Sequence, residues 1–332
     1  MNQNKQILSW LIISALMVII MVFVGGWTRL ADAGLSIVEW KPVTGIFPPM
    51  NEVDWNLEFS KYKESPEFEK LHNHFTLSDF KQIFWLEFIH RILGRITGMV
   101  ILLPALFFWY KGALRDWKPY VSMVALVGFQ GFMGWWMVKS GLVDDPYVSH
   151  FRLAAHLVTA MVLYSVIFWE GLVVLRRHCE EGEAPRNDGA CFIAYLTLIL
   201  LFVQIFLGAL VAGLDAGMIY NTFPLMGNSF VPSEFEFSWT MFYDPASVQF
   251  LHRCVAYFLA IMVCVLAYRA PKAIVIMLVA AVFMQILLGI CTVIYVVPMH
   301  LALVHQLFAV LLLSLVLYIM FIKRSAVIAS EL

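Results

Sequence analysis

The sequence predicts an all-α integral membrane protein whose eight transmembrane helices form two pseudo-symmetric four-helix bundles. Three observations predict it. The 332 residues are 61% hydrophobic and 14% charged, with mean hydropathy +0.81, whereas a soluble domain averages about 45–50% apolar and about 25% charged. Eight apolar runs can each cross a hydrocarbon core of ~30 Å, which takes ~20 helical residues. The second half of the chain also repeats motifs of the first, the signature of an internally duplicated architecture.

Taken in order, run one (7–27) follows Lys5. It is too long for the apolar region of a signal peptide, so it reads as a spanning helix with no cleavable leader. A long loop follows, 28–82, with Trp40, Pro42, Pro48, Pro49, Trp55 and a charged stretch from Lys61 to Lys70; a short helix is expected near 60–71. Run two (83–110) carries Glu87, His90, Arg91 and Arg95, and is followed by Lys111, Arg115 and Lys118. Runs three (119–139) and four (151–175) end the first half, and Arg176, Arg177 and Arg186 come next. Run five (190–213) leads into a loop, 214–246, without Lys or Arg. Run six (247–268) precedes Arg269 and Lys272, run seven (273–297) is followed by a turn lacking basic residues, and run eight (301–322) precedes Lys323 and Arg324. Basic residues collect on the cytoplasmic side of membrane helices. Both termini are therefore expected on the cytoplasmic or matrix side, and both long loops outside.

The repeat aligns Phe23-Val-Gly-Gly-Trp-Thr-Arg-Leu-Ala-Asp-Ala-Gly with Phe206-Leu-Gly-Ala-Leu-Val-Ala-Gly-Leu-Asp-Ala-Gly. It also aligns Phe88-Ile-His-Arg with Phe250-Leu-His-Arg, Gln130 and Gly134 with Gln285 and Gly289, and His156 with His305. Four spans return the chain to its starting side, so the halves, 1–180 and 181–332, read as parallel repeats about an axis along the membrane normal.

His90, His156, His252 and His305 each lie four to eight residues past the expected start of an even-numbered run, roughly 6–12 Å deep at 1.5 Å per residue. Ionisable groups in lipid are costly and face a bundle interior, a cavity or a cofactor. A single such histidine most often bonds a neighbouring helix. Two symmetric pairs at one level suit the axial ligation of two non-covalent haems. Each histidine is followed one turn later by a small residue, Gly94, Ala160, Ala256 or Ala309, although His150 has Ala154 at the same spacing. Arg91 and Arg253 follow their histidines and Arg152 precedes His156 by one turn. A guanidinium at that depth suits a propionate. His72 and His74 read as solvated loop residues, His150 and His300 as interfacial, and His178 as a solvated residue of the inner side.

Glu87 distinguishes the halves, because the matching position, three before His252, is Gln249. It reads either as the partner of Arg91 in an i, i+4 ion pair or as a proton donor or charge stabiliser beside a reacting haem. The five cysteines (Cys179, Cys191, Cys254, Cys264, Cys291) form neither Cys-x-x-Cys nor Cys-x-x-Cys-His. That excludes a zinc ribbon, a thioredoxin motif and covalent c-type haem. The net charge of −1 gives no ground for a nucleic-acid partner.

At this point the chain resembles the haem A synthase family, membrane enzymes that convert haem O to haem A for terminal oxidases. The resemblance covers nearly the whole chain. It rests on Gly25-Gly-Trp-Thr-Arg-Leu with Gly34-Leu-Ser, Glu87-Phe-Ile-His-Arg-Ile-Leu-Gly-Arg, Phe151-Arg-Leu-Ala-Ala-His, Gly208-Ala-Leu-Val-Ala-Gly-Leu-Asp-Ala-Gly, Asn221-Thr-Phe-Pro-Leu-Met, Phe250-Leu-His-Arg and Val304-His-Gln. The resemblance implies that His252 and His305 ligate a resident b-type haem, that His90 and His156 hold the substrate haem, and that Glu87 is the catalytic carboxylate. It implies oxidation of a haem methyl to formyl by two hydroxylations and loss of water, with oxygen and external electrons consumed. It also implies a bacterial or mitochondrial inner membrane. The partners implied are a farnesyltransferase supplying haem O and an electron donor such as ferredoxin, with homo-oligomerisation left open. Residues 28–82 contain no cysteine, unlike family members with a cysteine pair in that loop, which places the chain with the mitochondrial and alphaproteobacterial branch. The alternative from another class is a non-catalytic di-haem electron-transfer cytochrome with two bis-histidine sites. A carrier would need matched Gly or Pro breaks at mid-helix depth, and none are present.

Overall fold

In the computed structural model, which describes residues 3–41, 44–143, 146–178, 189–268 and 272–330, the chain is all-helical. Of the positions named above, Pro42, Cys179, Arg186 and Arg269 lie outside the described residues. The helices are α1 (Gln3–Leu30), α2 (Glu52–Lys63), α3 (Pro66–Lys70), α4 (Leu77–Tyr110), α5 (Lys118–Ser140), α6 (His150–His178), α7 (Gly189–Gly213), α8 (Pro245–Tyr268), α9 (Lys272–Ile294) and α10 (Met299–Ser330). Among the described residues, eight helices are long and apolar enough to cross a membrane: α1 and α4 to α10. They match the eight runs read from sequence.

α1, α4, α5 and α6 pack around a ring, each against its two neighbours, and α7, α8, α9 and α10 pack around a second. α4 and α6 are opposite corners of the first ring, α8 and α10 of the second. The rings meet where α6 packs on α7 and on α10, and α1 on α10. The main core fills this junction with Leu11, Ile101, Met161, Ile167, Leu313 and Val316, all 2% exposed or less. Leu103, Phe107, Ile199 and Phe283 point outward, as lipid-facing side chains of a membrane bundle do.

Polar links cross the junction. Tyr164 Oη and Ser314 Oγ lie 2.7 Å apart, and Gln306 Nε2 donates to Val22 O at 3.0 Å. At the C-terminal end of α1 Arg29 pairs with Asp32 of its own half at 3.0 Å and with Asp215 of the other at 2.9 Å. Asp32 and Asp215, aligned in the repeat, both adopt left-handed backbone, φ 45° and 50°. Asp and Asn tolerate that region better than other residues with a Cβ.

The loop between α1 and α4 departs from expectation twice. α4 starts at Leu77, not near 83, because Thr76 and Asp79 form a reciprocal capping box that extends the helix outward. In place of one short helix near 60–71 there are two. Asn51 caps α2 through Asp54 N, and Ser65 caps α3 through Phe68 N with Pro66 at its first position. Pro has no amide to continue α2 but suits the first turn of a new helix. Trp55, Phe59 and Tyr62 of α2 pack with Phe80, Ile83 and Phe84 of α4 and with Ala33. At about 1.5–3 kcal/mol per buried large apolar side chain, this cluster seats α2 and α3 as a cap beside the N-terminal end of α4.

Candidate functional site

The four histidines come in two matched settings. His90 of α4 and His156 of α6 project from opposite corners of the first ring, within range of each other's charge. His252 of α8 and His305 of α10 do the same in the second. Each imidazole lies against a glycine of the intervening helix. A Cβ on Gly25 of α1 would sit 3.5 Å from His90 Nε2, and one on Gly134 of α5 would sit 3.6 Å from His156 Cε1. A Cβ on Gly208 of α7 would sit 3.1 Å from His252 Cε1, and one on Gly289 of α9 would sit 3.0 Å from His305 Cε1. His156, His252 and His305 lie six or seven residues into their helices, and His90 thirteen residues past Leu77, because α4 begins further out.

Glutamines accompany three of them. Gln204 Nε2 lies 3.1 and 3.2 Å from the His252 ring nitrogens and donates to the His252 carbonyl at 3.1 Å. Gln285 Nε2 lies 3.4 Å from His305 Nε2, and Gln130 Nε2 donates to the His156 carbonyl at 3.3 Å. Nδ1 of His156 and of His305 is buried without a hydrogen-bond partner. The repeat aligned Gln130 with Gln285 but missed Gln204. A signal existed: Gln130–Gly134, Gln204–Gly208 and Gln285–Gly289 share one spacing, and in the fourth instance Met21 precedes Gly25. One turn apart, such residues share a helix face.

Glu87, 3% exposed, accepts from four donors. Ser36 Oγ reaches Oε2 at 2.6 Å and Ile37 N at 2.8 Å, while Arg91 reaches Oε1 through Nε at 3.0 Å and Nη2 at 2.6 Å. The i, i+4 ion pair weighed from sequence is therefore present; Ser36 appears in the sequence only as the end of the Gly34-Leu-Ser motif, with nothing to pair it or the Ile37 amide with Glu87. Arg91 also donates to the carbonyls of Glu39 at 3.1 Å and Ile37 at 2.8 Å. In the second half Gln249 Nε2 donates to Tyr220 O at 3.0 Å. Arg253 donates to Tyr220 O at 2.9 Å, Thr222 O at 3.0 Å and Leu225 O at 3.4 Å. Both arginines thus fasten an inter-helix loop to the helix bearing the histidine. Arg152 donates to Trp136 O at 2.7 Å, its guanidinium 4.5 Å from the Trp136 ring centroid.

Of the other histidines, His74 and His300 are exposed and His150 is half-buried beside Tyr243. His72 differs from its expected solvated state. It is half-buried, with Nδ1 2.7 Å from Tyr62 Oη, because Phe75 stacks on its ring at 4.0 Å and holds it against the cap.

Among the described residues no three His, Cys, Asp or Glu side chains converge as a metal cluster. Two imidazoles from opposite corners of a ring, each beside a wall without a Cβ, would suit a flat macrocycle that brings its own in-plane donors and whose metal binds imidazole. The orphaned ring nitrogens and the glycine walls fit such a group. Fold and site thus define a polytopic membrane protein with paired imidazole sites in two helical rings, one flanked by a carboxylate and the other by an amide.

Residues 8–317 match the cytochrome oxidase assembly protein family COX15-CtaA, and the chain belongs to that family. It is 45% identical to the heme A synthase of Rickettsia conorii, over 98% of this chain and 100% of that protein. It is 45% identical to the heme A synthase of Rickettsia rickettsii strain Sheila Smith, over 97% and 99%, and 42% identical to that of Rickettsia prowazekii, over 98% and 100%.

Proposed function

We propose that this chain is a haem A synthase, an oxidoreductase that converts a methyl group of haem O to the formyl group of haem A. Family membership and full-length relatives so named support the activity. The observation that carries the residue assignment is the asymmetry between Glu87 and Gln249 beside otherwise matched histidine pairs.

In this reading His90 and His156 hold the substrate haem and His252 and His305 a resident haem b. The two rings are repeats, the N-terminal one (1–180) for substrate and the C-terminal one (181–332) for the resident group. Bound there, the iron porphyrins supply the redox chemistry, with dioxygen and external electrons as co-reactants. The residues of the chain orient and charge the site. Gly25 and Gly134 back the imidazoles of His90 and His156 at ordinary contact distance. Glu87 Oε1 and Oε2 place negative charge and a proton-accepting site one turn before His90, held by Ser36 and Arg91. Arg91, Arg152 and Arg253 keep the outer rims of the sites closed by their carbonyl bonds. Guanidinium protons beyond those bonds are available to the carboxylates of a macrocycle. Gln249 offers a neutral donor where Glu87 offers a carboxylate, which suits electron passage more than chemistry. The termini lie on the cytoplasmic or matrix side of the inner membrane. A farnesyltransferase delivering haem O and an electron donor of the ferredoxin kind are the partners.

The test is Glu87→Ala in membranes supplied with haem O. The expected result is retained haem and no formyl product in extracted pigments. Normal haem A in that variant would remove the catalytic role of Glu87, whereas no formyl product from the wild type either would favour the electron-transfer alternative.

A further inference from the structure

The outer cap contains a buried hydrogen-bonded chain that the proposed chemistry does not yet use. Tyr62 Oη lies 2.9 Å from Glu67 Oε2 and 2.7 Å from His72 Nδ1. Tyr62 is 0% and Glu67 4% exposed, whereas His72 is half-exposed on the loop between α3 and α4. The three groups are held stiffly. Phe80 stacks on Tyr62 at 5.2 Å, Phe75 stacks on His72 at 4.0 Å, and Leu71 N and His72 N donate to Glu67 O at 2.9 and 3.1 Å. At the inner end, Tyr62 stacks on Phe80 in the cluster that runs along α4 to Phe84, about one turn before Glu87. The other charged and titratable groups facing the chain are Arg29 and Asp32 from the end of α1, and His74 beside His72.

From this geometry we infer that His72, Tyr62 and Glu67 conduct protons between the outer aqueous face and the flank of the Glu87 site. A hydroxyl has one proton and two lone pairs, so it can donate on one side while accepting on the other. A proton taken from water at His72 Nε2 releases the Nδ1 proton to Tyr62 Oη, as the hydroxyl's own proton passes to Glu67 Oε2. Tyr62 ends unchanged, His72 ends neutral with its proton on Nε2, and Glu67 has gained one proton. Glu67 suits the terminus. Burial pushes its carboxyl up to about 8, where it exchanges protons near neutrality, and burial lowers the His72 imidazole. A purely structural Tyr–His contact needs no buried acid, and an uncompensated one is costly. Reduction of dioxygen consumes protons, so the inference rests on the catalytic reading of Glu87 and supplies its proton source.

The test uses the full-length, haem-loaded protein in lipid nanodiscs. Infrared spectra of the wild type should show a protonated carboxyl band that titrates away near pH 8 and is missing in Glu67→Gln. No such titration would overturn the inference. In Tyr62→Phe the band should persist while its exchange in deuterated water slows about tenfold or more; unchanged or faster exchange means the tyrosine is only structural. Glu67→Gln, which can still accept from Tyr62, should keep its haem content yet lower formyl-haem formation about tenfold or more. If Glu67→Gln forms product normally while Glu87→Ala does not, the relay fails and the catalytic reading stands. If Glu87→Ala also forms product, the catalytic reading fails and the relay loses its purpose.

Discussion

Gly289→Ala is the sharpest probe of the paired-imidazole arrangement. The added Cβ would lie 3.0 Å from His305 Cε1, 3.6 Å from Nδ1 and 3.7 Å from Nε2. Carbon atoms in comfortable contact are ~3.5–4.0 Å apart, so the ring must retreat by roughly half an ångström from α9. Overpacking of this kind costs about 1–3 kcal/mol, and about 1.4 kcal/mol corresponds to tenfold in affinity. If His305 is an axial ligand, the resident haem should bind about 5- to 150-fold more weakly. Gly208→Ala, with its Cβ 3.1 Å from His252 Cε1, should act likewise. Gly134→Ala is the control, because its Cβ would rest 3.6 Å from His156 Cε1 in ordinary contact. Alanine is favoured over glycine within a helix by about 1 kcal/mol, so haem loss cannot be put down to a weakened helix. The assay is haem per protein by pyridine haemochrome after detergent purification, with reduced-minus-oxidised spectra. Wild-type haem content and spectrum in both Gly289→Ala and Gly208→Ala would refute the ligand assignment for the second ring.

Three further outcomes follow from the geometry. His252→Ala or His305→Ala should abolish the resident b-type spectrum, and an unchanged spectrum would place that haem elsewhere. Arg253→Ala removes donors to three carbonyls, those of Tyr220, Thr222 and Leu225. At about 1.5 kcal/mol for each bond from a charged donor, it should loosen that loop by several kcal/mol, read as faster amide exchange over 219–227 while the transmembrane helices stay protected. The α2–α3 cap should loosen as pH rises toward 8. Burial raises the Glu67 carboxyl to about 8, so the folded cap holds a proton that the unfolded chain gives up near its usual value. Stability therefore falls as pH rises from about 4.5 through about 8. Burial lowers the His72 imidazole, so the unfolded chain binds the extra proton, and stability also falls as pH drops through the ordinary histidine range. The two contributions oppose each other below about 6.5, and above it only that of Glu67 changes, so proteolysis within 52–75, or Trp55 fluorescence, should show the cap loosening as pH rises from about 6.5 to about 8; no change there would contradict the buried placement of Glu67.

The spans and the four histidines were legible because lipid imposes a coarse rule: some twenty apolar residues per crossing, with any ionisable group in them conspicuous. Glu87 stood out for the same reason, and the i, i+4 rule supplied Arg91 as its partner. What could not be read came from loops. Ser36 and the Ile37 amide reach Glu87 across 51 and 50 residues, and no local periodicity encodes such a contact. The carbonyls that engage Arg91 and Arg253 belong to backbone, which sequence does not distinguish. His72 looked solvated in an X-His-X-His-X loop, and only the folding of α2 against α4 places a tyrosine beside it. The walls were half-legible: Gln–Gly pairs at one spacing occur three times, but that a glycine faces an imidazole emerges only when neighbouring helices pack.

The amide of Gln306 carries one last consequence. It belongs to the residue next to His305, yet it lands on Val22 O, three residues before the Gly25 that backs His90. The two histidine sites therefore share a rivet. Any shear of α10 against the junction tugs the backbone of α1 about one turn from the glycine that backs His90, so a shift at one site is felt at the other.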